Sequence, residues 1–325
     1  MAFEPKLRPL TSASSDDATS ALRSAGPVTV LLVGLGGVAL VLPGLRPSLS
    51  LRGNPRWFAP LDAIALALGA AAVLAGLALS AAVGVLHLVT GTALARYDGH
   101  LAPGGLAASI ASAIVLAIVG RNFARAAGRA RRATGVARAE AWVGRHHAFG
   151  DHEVVVLPTS ELVAYSVDGS PPQVVVSEGF EARVGADMAA FVIDHERAHL
   201  RRRHRRLLVV SALVDATFGF VPMVRRSALA LMLAVERAAD EAAAGPDRQR
   251  RHRLAAAMRD LAATGSQSMP VEAVTYRAAG LASPPPRASR PELLAAAGLV
   301  ALGLAVVGTA LHIGIEAPAV VACLR

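Results

Sequence analysis

The chain has 325 residues, enough for two ordinary domains, yet 54% of them are hydrophobic and only 18% are charged, with a mean hydropathy of +0.46. Those values exclude an ordinary soluble protein and put much of the apolar mass in lipid. The net charge of +9 rests almost wholly on arginine, since Lys6 is the only lysine, and a single cysteine, Cys323, excludes an internal disulfide.

Residues 1–26 read as a polar N-terminal tail. Four uncharged runs follow: 22 residues between Arg23 and Arg46, 33 between Asp62 and Arg96, 20 after His100, and 23 between Glu292 and Glu316. Each matches the roughly 20 residues a helix needs to cross a hydrocarbon core. Three spans are therefore expected within 27–120 and a fourth at 292–316, with a short tail at 317–325. The first run starts late and has no obvious small-residue cleavage site after it, so it reads as a retained anchor rather than a signal peptide. Arg46, Arg52 and Arg56 follow the first span, and Arg121, Arg125, Arg129, Arg131, Arg132 and Arg138 follow the third. Basic loops stay in the cytoplasm. That places the N-terminus outside and the large segment after residue 120 inside, in a plasma-membrane protein.

Residues 121–145 read as a basic helix lying against anionic headgroups, with no nucleic-acid contact expected. "EVVVLP" at 153–158 and "QVVVSEG" at 173–179 read as two strands. A sheet edge beside an active site would let an extended peptide bind as an added strand. His146, His147 and His152 in "RHHAFGDH" read as an exposed turn. From Ala186 to beyond Leu200 the pattern is helical, with Met188, Val192, His195, Glu196 and His199 on one stripe. Arg201 to Arg206 reads as a basic extension of that helix. The apolar stretch 207–224, interrupted by Asp215 and Pro222, reads as buried, membrane-abutting or re-entrant, but not crossing. A further helix is expected from Leu229 to Ala244, its inward stripe Leu229, Met232, Leu233, Glu236 and Asp240. "ASPPPRASRP" contains a Pro-rich linker at 283–291.

The chemistry lies in His195-Glu196-Arg197-Ala198-His199, which fits H-E-x-x-H. Residues four apart lie one helical turn from each other, so both imidazoles can reach one ion, with Glu196 beside them as a base for water. Two imidazoles and one carboxylate suit a single Zn2+ with a position left open. Glu236 is the candidate third ligand, and Asp240, one turn on, is placed to orient a ligand histidine. Were 207–224 a crossing, Glu236 would be separated from His195 and His199 by the bilayer. No G-x-S-x-G, Walker or Rossmann motif supports a rival chemistry.

"HERAHLRRRH", "FVP" at 220–222 and "ERAAD" at 236–240 together resemble the membrane metallopeptidases of the beta-lactam sensor-transducer type, whose plan is shared by membrane quality-control and CAAX prenyl proteases. The resemblance covers roughly residues 120–245. It implies a mainly α multi-span membrane protein with a zincin-like α+β metalloprotease domain, residues 121–282, inserted between transmembrane helices three and four. It further implies zinc on His195, His199 and Glu236, catalysis by Glu196, a supporting Asp240, and a protein or peptide substrate such as a cytoplasmic transcriptional repressor. Two departures stand out. The chain closes soon after Glu316, so an external drug-sensing domain is not expected, and His204, read here as a surface histidine, stands where relatives carry aspartate. The competing readings are a membrane-protein quality-control protease and a catalytically silent membrane scaffold.

Overall fold

The computed structural model describes residues 15–45, 54–90, 105–263 and 271–283, with scattered positions between 294 and 308. The chain is mostly helical with one small mixed sheet. Three long helices come first: α1 (Ser15–Leu45), α2 (Pro55–Thr90) and α3 (Gly105–Val143). Each holds a stretch long and apolar enough to cross a membrane, Val28–Leu45, Pro55–Val85 and Leu106–Val143. Helix α1 starts inside the stretch expected as a polar tail, and Arg56, expected in a loop, lies in the first turn of α2. The expected fourth span and the linker before it lie almost wholly outside the described residues.

Helix α3 contains the basic helix expected after residue 120, and its backbone runs on from the apolar stretch before it without a break. Its 39 residues rise about 58 Å, close to twice a hydrocarbon core. The switch from apolar to Arg-rich composition at Arg121 alters what surrounds the helix, but Ala-rich sequence without proline gives the backbone no reason to stop. The basic stretch and the apolar stretch before it form one helix.

Two compact units emerge, one comprising residues 1–37, 71–118 and 301–325, the other 38–70 and 119–300. In the first, small residues let helices approach closely, as they do in membranes. A Cβ on Gly84 would lie 2.3 Å from the Ser109 Cβ, and one on Gly76 would lie 2.7 Å from a Val33 methyl. Ser112 donates a hydrogen bond to Ser80 at 3.1 Å.

The second unit carries the sheet: β1 (Arg145–Phe149), β2 (His152–Leu157), β3 (Ala164–Val167) and β4 (Gln173–Ser177), in the order β1-β2-β4-β3. The two Val-rich strands expected from the sequence pair in parallel, Val155 opposite Val175, and two strands not anticipated flank them antiparallel. Val155, Val175, Val167 and Leu157 pack on Ala141 of α3. Gly144 makes the turn from α3 into the sheet, and a Cβ there would lie 2.3 Å from Val155. "RHHAF" is thus an edge strand, not a turn.

Among the described residues six helices follow: α4 (Glu178–Val184), α5 (Ala186–Arg201), α6 (His204–Phe218), α7 (Pro222–Ala244), α8 (Arg248–Ala263) and α9 (Val271–Ala282). Met188 and Phe191 of α5, Ala243 and Ala244 of α7, Leu254 and Met258 of α8, and Val274, Ala278 and Leu281 of α9 form their core. Helix α6, at 15 residues, spans about 22 Å and is too short to cross a bilayer. The chain turns after it at Gly219, whose N–H reaches the Asp215 carbonyl at 2.8 Å, and Pro222 opens α7. Helix α7 therefore begins seven residues before the expected Leu229. Leu229 itself is 48% exposed: it shares the face of Glu236 but sits two turns earlier, where that face is left half open. Arg201 to Arg206 also proves not to extend the site helix. Arg203 adopts a left-handed conformation, φ 53°, and a new helix starts at His204.

Candidate metal centre

Phe191, His195 and His199 follow one another at four-residue spacing along α5. Phe191 is 2% exposed in the core, so the turn that seats it also orients the two histidines. Helix α7 packs against α5 and presents Glu236 and, one turn on, Asp240. The Nε2 atoms of His195 and His199 are 3.0 Å apart. Glu236 places Oε2 at 3.4 Å from the first and Oε1 at 3.6 Å from the second. All three donors lie within 4.8 Å of one another. Tetrahedral zinc with ligands at about 2.0–2.1 Å has ligand-to-ligand edges of about 3.3 Å, so the triangle found here is the right size for one face of such a site. Asp240 Oδ1 lies 2.9 Å from the other ring nitrogen of His195, Nδ1, where it holds the ring with Nε2 turned toward His199 and Glu236.

The electrostatics follow from burial and these contacts. Burial alone would lower the His195 pKa, but Asp240 and Glu236 outweigh it and push it up to about 10. His199 is lowered to about 4 by burial and by the neighbouring His195 charge. Glu236 resists its burial because His195, Arg277 and His199 surround it, and it falls to about 2. Glu196, between the histidines, is raised by burial, against the pull of His195 and a hydrogen bond with Ser166. Two carboxylates near one another thus sit on opposite sides of their ordinary range, one fixed as an anion and one ready to exchange a proton.

A cavity of about 400 Å³ opens on Glu196, His195, His199 and Glu236. Ala133 and Ala137 of α3, Val167 of β3, Leu200 of α5 and Leu208 of α6 make its apolar wall. Arg205 braces one side, hydrogen-bonded to Thr134 and 3.4 Å from Asp168. Strand β3 is an edge of the sheet among the described residues and lines this cavity from Tyr165 to Val167, with Asp168 just beyond its end.

His204 is not at the surface. It is 3% exposed, packs edge-on against His199 with ring centroids 5.0 Å apart, and is lowered to about 3 by burial, then by the charges of His199 and Arg202. His152 is likewise buried, at 4%, beside Asp151 and Phe149, while His146 and His147 are exposed as expected. In both corrected cases the cover comes from a turn or helix junction that local composition does not reveal.

Arg277 of α9 was not anticipated. Its Nε and Nη2 grip both oxygens of Asp240 at 2.8 and 2.7 Å, and Nη1 lies 3.1 Å from Glu236 Oε2. Only its place three residues after Val274 on an apolar face would have hinted at burial. Comparison with protein-family models, with curated proteins and with solved structures finds no match for this chain.

Proposed function

We propose that this chain is a membrane-bound zinc endopeptidase of the sensor-transducer type, with its proteolytic domain on the cytoplasmic side, that cleaves a protein or peptide substrate. The observation that carries the reading is the triangle of His195, His199 and Glu236 donors with a raised carboxyl, Glu196, immediately beside it. Zinc held there would supply a Lewis acid for a peptide carbonyl and lower the pKa of water.

The chain's own residues do the rest. Glu196 takes a proton from the attacking water and passes it to the leaving amine nitrogen, a role that suits a carboxyl whose pKa is raised by burial. The free edge of β3 offers backbone donors and acceptors to an extended substrate segment, which would bind as an added strand. The cavity beside it would take one apolar side chain of that segment. Asp240 holds His195 in place through the cycle, and α1, α2 and α3 fix the domain to the bilayer.

Two measurements test this. Elemental mass spectrometry on chelator-free, detergent-purified protein should find about one zinc per chain in the wild type, and little in Glu236→Ala. Zinc-loaded wild type should cleave members of a quenched-fluorescent peptide library, and Glu196→Gln should not. A wild type that neither holds nor takes up zinc would sink the proposal.

A further inference from the structure

We infer that Arg277 is a positioning residue of the metal centre: its guanidinium selects the Glu236 oxygen presented to the metal and holds Glu236 and Asp240 together. The inference rests on the zinc reading above. Val274, Ala278 and Leu281, each 1% exposed or less, lock one face of α9 into the core, and Arg277 projects from that face with its side chain only 11% exposed. A buried guanidinium is costly unless its donors are satisfied. Here a fork closes on Asp240 while the remaining arm reaches Glu236 Oε2. Oε2 is shared between Arg277 and His195, whose Nε2 is 3.4 Å away, so Oε1, 3.6 Å from His199 Nε2, is the oxygen the guanidinium leaves to the metal.

The formal charges agree with this arrangement. Glu196, Glu236 and Asp240 bring three carboxylates to one buried place, and one guanidinium plus one divalent cation balances them. Without the guanidinium, Glu236 and Asp240, one turn apart on α7, repel one another, and the Glu236 carboxylate is free to rotate. A lysine would keep the charge but not the fork, because one ammonium cannot grip both Asp240 oxygens and reach Glu236 as well. Helix α9 is itself held firmly for the task. Arg251 is paired with the buried Glu241 at 2.6 and 2.9 Å and donates to the Leu281 and Ser283 carbonyls, both at 3.1 Å.

The test compares wild type, Arg277→Lys and Arg277→Ala as full-length protein in nanodiscs. Three readouts are used: zinc affinity by competition with a chelating dye, the visible spectrum of the Co2+-substituted form, and the melting temperature of the metal-free form. Arg277→Lys should stay folded yet lose about 10- to 100-fold in zinc affinity, the usual effect of removing a partner of a metal ligand, and its Co2+ bands should shift because Glu236 now approaches differently. Arg277→Ala should lose more. Wild-type zinc affinity and an unchanged Co2+ spectrum in a folded Arg277→Lys, whatever happens to Arg277→Ala, would overturn the inference and leave the zinc reading standing. A wild type that binds neither ion would remove both.

Discussion

Metal uptake at this site should release about one proton near pH 7.5, and His195 should be its source. In the metal-free protein His195 lies between Asp240 on Nδ1 and Glu236 on Nε2, and its pKa is pushed up to about 10. At pH 7.5 such a group is essentially fully protonated. His199, lowered to about 4, and Glu236, lowered to about 2, have no proton to give. Zinc must therefore displace only the proton on Nε2 of His195, and apparent affinity should rise about tenfold per pH unit between roughly pH 5 and 9. Calorimetric titration with zinc in weakly coordinating buffers of different ionisation enthalpy yields the proton number directly. Asp240→Asn removes a hydrogen bond and a charge that raise the His195 pKa, so its proton number at pH 7.5 should fall and its affinity should level off at lower pH. No proton released by the wild type, or an identical number in Asp240→Asn, would refute the reasoning. The same contacts set the stability of the metal-free fold. His195 is raised from 6.5, so its contribution is full below pH 6.5 and is lost as pH climbs through 10. It amounts to at most about 5 kcal/mol at 1.36 kcal/mol per unit. Glu236 is depressed from 4.5, so its contribution is present above pH 4.5 and fades as pH falls toward 2.

Three further outcomes are expected. Glu196→Gln keeps the shape of the side chain and replaces none of the three donors, so zinc content should match wild type while peptide cleavage drops at least about 100-fold. Phe191→Ala should cost about 3–5 kcal/mol in denaturant unfolding and weaken zinc binding as well, because Phe191 seats the turn that carries His195. His204→Phe keeps a ring against His199 and removes a buried nitrogen, Nδ1, that has no hydrogen-bond partner. Its melting temperature should hold or rise, by the equivalent of about 1 kcal/mol, with zinc uptake retained; loss of zinc would instead give His204 a part in the site.

What could be read from the sequence was whatever depends on local period. His195 and His199 are legible because four residues make one helical turn, and Glu236 and Asp240 because they repeat that spacing on a second amphipathic helix. The same period arguments fail where burial is decided by an element far along the chain. His204 looks like one more polar residue in an arginine run, and only the break at Arg203 turns it in under His199. Strand β3, "AYSV", is too short and mixed to announce itself, yet it pairs with β4 and forms the cavity wall. The apolar run ends at Arg121 because composition changes there, while the hydrogen-bonded backbone of α3 runs on and supplies Ala133 and Ala137 to the cavity. Arg277 is the sharpest case. In a chain whose positive charge is nearly all arginine, one more arginine carries no signal, and its partner Asp240 is 37 residues away. A carboxylate pair on a buried stripe, however, implies a cation beyond the metal alone. Charge alone does not choose Arg277, because α8 offers five arginines before α9 offers one; only the packing of α9 against α7 does.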